Sequence, residues 1–278
     1  MLEIAVVRTG QALFNASWPL MNKSMLVIAA IRSVFRTVPQ FGFCPVCEGK
    51  SVFFALGPWL REDLKCVRCK SSSRQRALID YIGHAIPMLG EAHVYEPSPT
   101  QPTIDYLERH SGRYTSSQYS PDEEGRNPQN PFNQDLQALR FPDNAFDLVV
   151  SQDVFEHIAE PRKAFAEVAR VLKPGGSHIF TVPWYRGQLT ETRARIVDGE
   201  VMNLHPPEYH SDPNTRDGAL VFTRFGSDIE EMISDSSGMK TSVIDINDAG
   251  KGITGDSIQI FHSTSPGGPH RQPGAGLR

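Results

Sequence analysis

All four cysteines of the 278-residue chain fall between positions 44 and 69. They are arranged as Cys44-Pro45-Val46-Cys47, eighteen residues, then Cys66-Val67-Arg68-Cys69. Two residues between thiols let a tight knuckle turn both sulfurs toward one tetrahedral ion, and two knuckles complete a closed shell. Cysteines confined to so short a span argue for a local metal site over disulfides spread through a secreted fold. The spacing therefore predicts a small module organised by structural Zn2+ on Cys44, Cys47, Cys66 and Cys69, with no position open to water or substrate. Arg61, Lys65, Arg68, Lys70, Arg74 and Arg76 make this region locally basic. Nucleic-acid contact is one use of such charges and plain solvation is the more frequent one.

A second constraint begins near residue 92, where short apolar runs alternate with helical periodicity, the pattern of an α/β fold with a mostly parallel, doubly covered sheet. Strands are expected at His93-Val94-Tyr95, at Arg113 to Gln118, at Phe146 to Val150 and at His178 to Val182. Helices are expected from near Thr103 and from Pro161, the latter carrying Phe165, Val168, Ala169 and Leu172 on one face and stopped by Lys173-Pro174-Gly175-Gly176. Ser71-Ser72-Ser73 offers a cap for a linking helix bearing Ala77, Leu78, Tyr81 and Ile82. Phe225, Ile229, Met232 and Ile233 mark a later helix ending around Gly238, and 243–246 with 258–261 read as a terminal antiparallel hairpin. The division follows: 1–40 an amino-terminal segment without assigned role, 41–75 the four-cysteine module, 76–265 the α/β domain, 266–278 a disordered Pro/Gly-rich tail.

Composition narrows the partners. With 28 Lys and Arg against 32 Asp and Glu the formal charge is −4, so no bulk polyanion partner is indicated. The apolar run Met25 to Ile31 falls short of the about 20 residues needed to cross a bilayer, and no signal-cleavage pattern follows it. A cytoplasmic protein without a membrane role is expected.

In an open α/β sheet, ligands lie beyond the carboxyl ends of the strands. The residues at those ends are Glu96 and Ser98, Gln118, Asp135 with Leu136, and Ser151, Gln152 and Asp153. Glu156 and His157 follow the 146–150 strand, and a histidine there suits general-base work because its ordinary pKa lies near neutrality; ordering of the turn is the competing role. The long segment 183–221, poor in periodic apolar residues, reads as a lid. Within it stand Trp184, His205, Glu208, Tyr209 and His210, as acceptor contacts or, for His205, Glu208 and His210, as ligands of a second metal.

The segment FPDNAFDLVVSQDVFEHIAEPRKAFAEVARVLKPGG at 141–176 resembles the central block of class I S-adenosylmethionine-dependent methyltransferases. It is most similar to the subset that carries a zinc-ribbon-like four-cysteine module ahead of a Rossmann-like domain. That resemblance implies S-adenosylmethionine as cofactor. Glu96, Ser98, Gln118, Asp135, Leu136, Ser151 and Gln152 would then surround it, Asp135 near the adenine amino group. Asp153, His157 and His210 are the implied catalytic candidates, and Trp184, His205, Glu208 and Tyr209 would meet a small-molecule or glycan-type acceptor methylated at oxygen or nitrogen. The chain departs from the family pattern after Glu96, where Pro97-Ser98-Pro99-Thr100 replaces the usual glycine-rich loop. Gln118 stands where an acid for the ribose is common, with Asp122 or Glu123 as substitutes. The departure leaves a second possibility, a non-catalytic adaptor binding RNA or protein through its zinc module.

Overall fold

The computed structural model describes residues 39–119, 133–210 and 218–267. The expectations for 1–38, the loop candidates Asp122 and Glu123, and the tail from 268 lie outside the described residues. The chain opens with β1 (Gln40–Cys44), β2 (Gly49–Ala55) and β3 (Leu64–Cys66), an antiparallel sheet in the order β1-β2-β3, with the single turn α1 (Leu60–Asp63) before β3. Helix α2 (Ser73–Ala85) follows, capped by Ser72 in a reciprocal box with Gln75. Next come β4 (His93–Pro97), α3 (Thr103–His110), β5 (Arg113–Ser117), β6 (Phe146–Gln152), α4 (Pro161–Val171) and β7 (Leu172–Thr181).

The main sheet has six strands in the order β14-β15-β7-β6-β4-β5. Strands β5, β4, β6 and β7 run parallel, whereas β15 (Gln259–Thr264) is antiparallel to β7 and β14 (Lys240–Asp245) to β15. The expected terminal hairpin is therefore present. Strand β6 is buried along nearly its whole length, as covering on both faces demands. Pro161 occupies the first turn of α4. That helix passes directly into β7, with Gly175 at φ 78 inside an irregular stretch of the β6–β7 pairing. Helix α5 (Ile229–Ser237) ends on Gly238 in the left-handed conformation.

Two apolar cores flank the sheet. On one side Phe155, Phe165, Val168, Phe225, Ile229 and Ile233 pack α4 and α5 against Val149 and Phe180. On the other, a single core runs from Cys44, Phe53 and Leu64 of the cysteine module through Leu78, Ile79 and Ile82 of α2 to Val94, Leu148 and Ile260 of the sheet. The module is thus built onto the α/β domain, with no independent core between them. The 246–258 connection between β14 and β15 clasps it. Gly252 has φ 64, and a Cβ there would lie 2.5 Å from the Phe53 ring, so this position needs glycine. Its carbonyl accepts from Ser73 Oγ at 3.1 Å and from Arg76 Nη2 at 2.6 Å.

Between β7 and α5 the chain folds into short hairpins: β8 (Glu191–Thr192), β9 (Ala194–Val197), β10 (Glu200–Asn203), β11 (Tyr209–His210), β12 (Ala219–Leu220) and β13 (Thr223–Arg224). Strand pairs β9 with β10, β11 with β12, and β8 with β13 build this segment. Alternation in strands this short leaves little periodic signal in sequence. Among the described residues no helix is long and apolar enough to cross a membrane.

Candidate functional site

In the cysteine module the Cys44 and Cys69 sulfurs lie 3.7 Å apart and those of Cys47 and Cys66 3.9 Å. Four sulfurs about 2.3 Å from one tetrahedral ion would be about 3.8 Å apart, so the cluster fits zinc. Ser51 Oγ sits 3.0 Å from the Cys66 sulfur and Ser71 Oγ 3.2 Å from that of Cys69. Beside the cluster the Arg76 guanidinium is fully buried, lies 4.4 Å over the Phe53 ring and spends its donors on carbonyl and hydroxyl oxygens. Burial pushes it down to about 10, and the four sulfurs pull the other way. Four thiolates around a divalent ion leave net negative charge, which suits a guanidinium enclosed at this spot.

Two further arginines of the module reach the strand ends of the main sheet, and sequence reading missed their role. Arg61, 1% exposed, makes a two-pronged ion pair with Asp153 at 2.7 and 2.8 Å. Arg74 Nε lies 3.3 Å from the same carboxylate, and its Nη1 reaches Gln152 Oε1 and Thr181 Oγ1 at 3.4 Å. Glu62 braces both arginines. These guanidiniums, opposed by burial itself, hold the Asp153 carboxyl well below the usual range. The basic patch read from sequence is in large part an internal clamp. What hid it is that Arg61 and Asp153 are 92 positions apart.

Glu96, at the end of β4, is 0% exposed. It accepts from Gln152 Nε2 and from Tyr114 Oη at 2.7 Å, and from Thr103 Oγ1 at 3.4 Å. These donors are neutral, so burial wins and the carboxyl is pushed up to about 7. Gln152 is drawn into the same knot. Ser98 follows at φ 48, a left-handed residue where the family pattern has glycine. Gln118, exposed, bridges Asn133 in parallel. Asp135 turns one oxygen to the Gln137 amide at 2.8 Å, while Leu136 is packed in the core. Ser151 is buried on the opposite face of the sheet, 3.0 Å from His178 Nε2.

The 3-10 turn Phe155–His157 carries Glu156 and His157 just beyond β6. A hydrogen bond from Phe222 N to Glu156 O at 2.8 Å fastens the hairpin segment over it, and one from Val221 N to Glu208 O at 2.8 Å holds that segment together. This brings His210 alongside: its Nδ1 lies 3.7 Å from Glu156 Oε1, as does His157 Nε2. The Glu156 carboxylate raises the affinity of His210 for a proton, against an opposing push from burial. Glu208 is held by Arg224 Nη2 at 2.6 Å and Arg193 Nε at 3.2 Å. The other lid candidates stay apart. His205 is 3.4 Å from Glu191, and Tyr209 is exposed. Trp184 donates to the Gly226 carbonyl at 2.7 Å and packs edge-on against Phe261.

The donor set at the strand ends suits a nucleoside joined to an amino acid. Asp135 and Gln118 carry groups of the kind that adenine amino and ribose hydroxyls take, whereas the Arg74 guanidinium is already engaged by Glu62, Asp153, Gln152 and Thr181. Glu96 fits differently, since its enclosure makes it an anchor for the loop behind such a ligand.

Residues 100–180 match the family model described as a methyltransferase domain. That match covers less than a third of the chain. A 48-residue stretch is 53% identical to glycine/sarcosine/dimethylglycine N-methyltransferase of Actinopolyspora halophila, covering 17% of this chain and 8% of that protein. Another match is 40% identical over 48 residues to phosphoethanolamine N-methyltransferase 2 of Caenorhabditis elegans, 17% of this chain and 11% of that one. The chain thus spans only a small part of the curated relatives it matches. Among solved structures, an S-adenosylmethionine-dependent methyltransferase from Mesorhizobium loti is similar at TM-score 0.46, with 13% identity over 68% of this chain and 97% of that one. Residues 141–176 fall in the second half of the matched range, spanning β6, α4 and the start of β7.

Proposed function

We propose that this protein is an S-adenosylmethionine-dependent methyltransferase acting on an oxygen or nitrogen of a small-molecule or glycan-type acceptor. The observation that carries the reading is the convergence of His210, from the hairpin segment, on Glu156 and His157 at the end of β6. It lies beside the strand ends where the methyltransferase domain has its cofactor position. The cofactor, when bound, supplies a methyl group on a positively charged sulfur.

The chain's own residues would hold it at the ends of β4, β5 and β6. Ser98 would set the turn, and Gln118 and Asp135 would face the nucleoside. Methyl transfer depends above all on alignment of donor and acceptor, and positioning of this kind can account for about 7–11 kcal/mol of barrier. The Arg61–Asp153 clamp makes the zinc module part of that positioning. His157 donates through Nδ1 to the Leu220 carbonyl at 2.9 Å, because a carbonyl can only accept. In its neutral form Nε2 then keeps a lone pair, which can serve either as a base for an acceptor hydroxyl or as a ligand to a cation, not both at once.

Calorimetric titration with S-adenosylhomocysteine tests the cofactor half, with saturable heat expected. Mass spectrometry of acceptor pools incubated with labelled cofactor tests the acceptor half. Absence of heat at high micromolar ligand in folded, zinc-loaded protein would overturn the reading.

A further inference from the structure

Among the described residues, Glu156 is the buried acid, 1% exposed, with neither carboxylate oxygen hydrogen-bonded. A buried carboxylate left this way is costly unless a cation completes it. What faces it is a pair of imidazoles, His157 Nε2 and His210 Nδ1, each 3.7 Å from Oε1. These separations are too long for hydrogen bonds. Ligand atoms held about 2.1 Å from a shared ion at tetrahedral to trigonal angles would stand about 3.4–3.6 Å apart, within a few tenths of what is found. The candidate ligand atoms of the three residues all lie within 4.8 Å of one another.

The outer contacts fit the same picture. His157 uses Nδ1 on the Leu220 carbonyl at 2.9 Å, which directs the Nε2 lone pair at Glu156. His210 has Glu208 Oε1 3.6 Å from its Nε2, the far nitrogen, and Glu208 is itself fixed by Arg193 and Arg224. Metal-bound histidines characteristically engage their second nitrogen with a carbonyl or carboxylate, as His157 does here, whereas the Glu208 separation from His210 is too long for a hydrogen bond. The rings stand nearly perpendicular and edge-on, their centroids 5.2 Å apart at 88°.

The geometry points to a second metal site, in which Glu156, His157 and His210 bind one divalent first-row transition ion. Two imidazoles and a carboxylate select an ion such as Zn2+ or Mn2+ over Mg2+ or Ca2+, which prefer all-oxygen shells. Three protein ligands leave coordination positions open, unlike the closed shell of the cysteines. The site sits between the end of β6 and the hairpin segment, so an open position would take an oxygen of the acceptor, such as a hydroxyl. That acceptor assignment rests on the methyltransferase reading; ion binding does not.

The experiment uses the full chain with its cysteine site loaded with zinc. Added Mn2+ is followed by loss of the free-ion electron paramagnetic resonance signal, and bound zinc is counted by mass spectrometry. One Mn2+, or one Zn2+ beyond that of the cysteines, is expected per chain, with a rise in melting temperature on binding. Glu156→Gln and His210→Ala should each weaken binding by at least about 10-fold. Glu156→Gln, which removes an uncompensated charge, should melt no lower than the ion-free wild type. Uptake confined to the cysteine site, variants that bind like wild type, or a sharply destabilised ion-free Glu156→Gln would overturn the inference. S-adenosylhomocysteine calorimetry on the same samples separates the two readings. Heat without ion uptake sinks the metal site alone, and ion uptake without heat sinks the methyltransferase reading and the acceptor assignment while ion binding stands.

Discussion

Glu96 and Asp153 close neighbouring parallel strands, both are enclosed, and their carboxyls are driven in opposite directions. Glu96 meets only amide and hydroxyl donors and is pushed up to about 7 by burial. Asp153, 18% exposed on its side chain, meets two guanidiniums and is held well below its ordinary range. The difference lies less in burial or strand position than in the four-cysteine module, which delivers Arg61 and Arg74 to one strand end and not to the other. The module thus sets the electrostatic surroundings of a group in the candidate site.

The strongest way to break the comparison is to remove the zinc. If the cysteines hold zinc, stripping the ion should unfold 39–71, release Arg61 and weaken the Asp153 clamp, since structural zinc is worth about 10–16 kcal/mol in small modules. Chelation followed by circular dichroism and amide hydrogen exchange should show protection lost at β1 to β3 and weakened at β6 and β7. Next in size, Arg61→Ala leaves Asp153 with a single cation and should cost about 3 kcal/mol in denaturant unfolding. The loss should shrink in an Asp153→Asn background, where no charge remains to be stranded.

The two acids should also pull stability in opposite directions with pH. A carboxyl raised in the folded state contributes stability that is fully present below its unfolded pKa and is lost as pH rises through the folded value. For Glu96 that window runs from about 4.5 to about 7, and the change amounts to about 3 kcal/mol. Glu96→Gln should flatten this part of the profile in pH-dependent melting. Asp153 works the other way, its contribution present above its unfolded pKa and lost only on strong acidification. The smallest effect belongs to Arg186, paired with Asp245 at 2.7 Å on the surface with both partners mostly exposed. Arg186→Ala should cost less than about 1 kcal/mol, and less again in high salt.

Much of the frame was legible in advance. Knuckle spacing marked Cys44, Cys47, Cys66 and Cys69, and the strands around Val94 and Val149 and the helix from Pro161 stand where periodicity and punctuation put them. The hairpins between residues 191 and 224 were read only as a lid, because strands of two to four residues carry no measurable alternation. Charge also misled. Arg61 and Arg76 looked like surface cations by composition, yet both are buried, since their partners stand far along the chain or are backbone carbonyls that no motif records. His210 was proposed from its own cluster with His205 and Glu208, whereas the fold sets it against Glu156 and His157.

The sequence by itself determined what local rules govern: the paired-cysteine knuckles, the caps, the buried strands and the block at 141–176 that resembles methyltransferases. Tertiary structure alone decided which charges meet. Ion pairs such as Arg61 with Asp153, and the grouping of Glu156 with His210, depend on distances in space between residues distant in sequence. Electrostatic energy is set by separation and by the dielectric around the pair, and neither is written in the order of the residues.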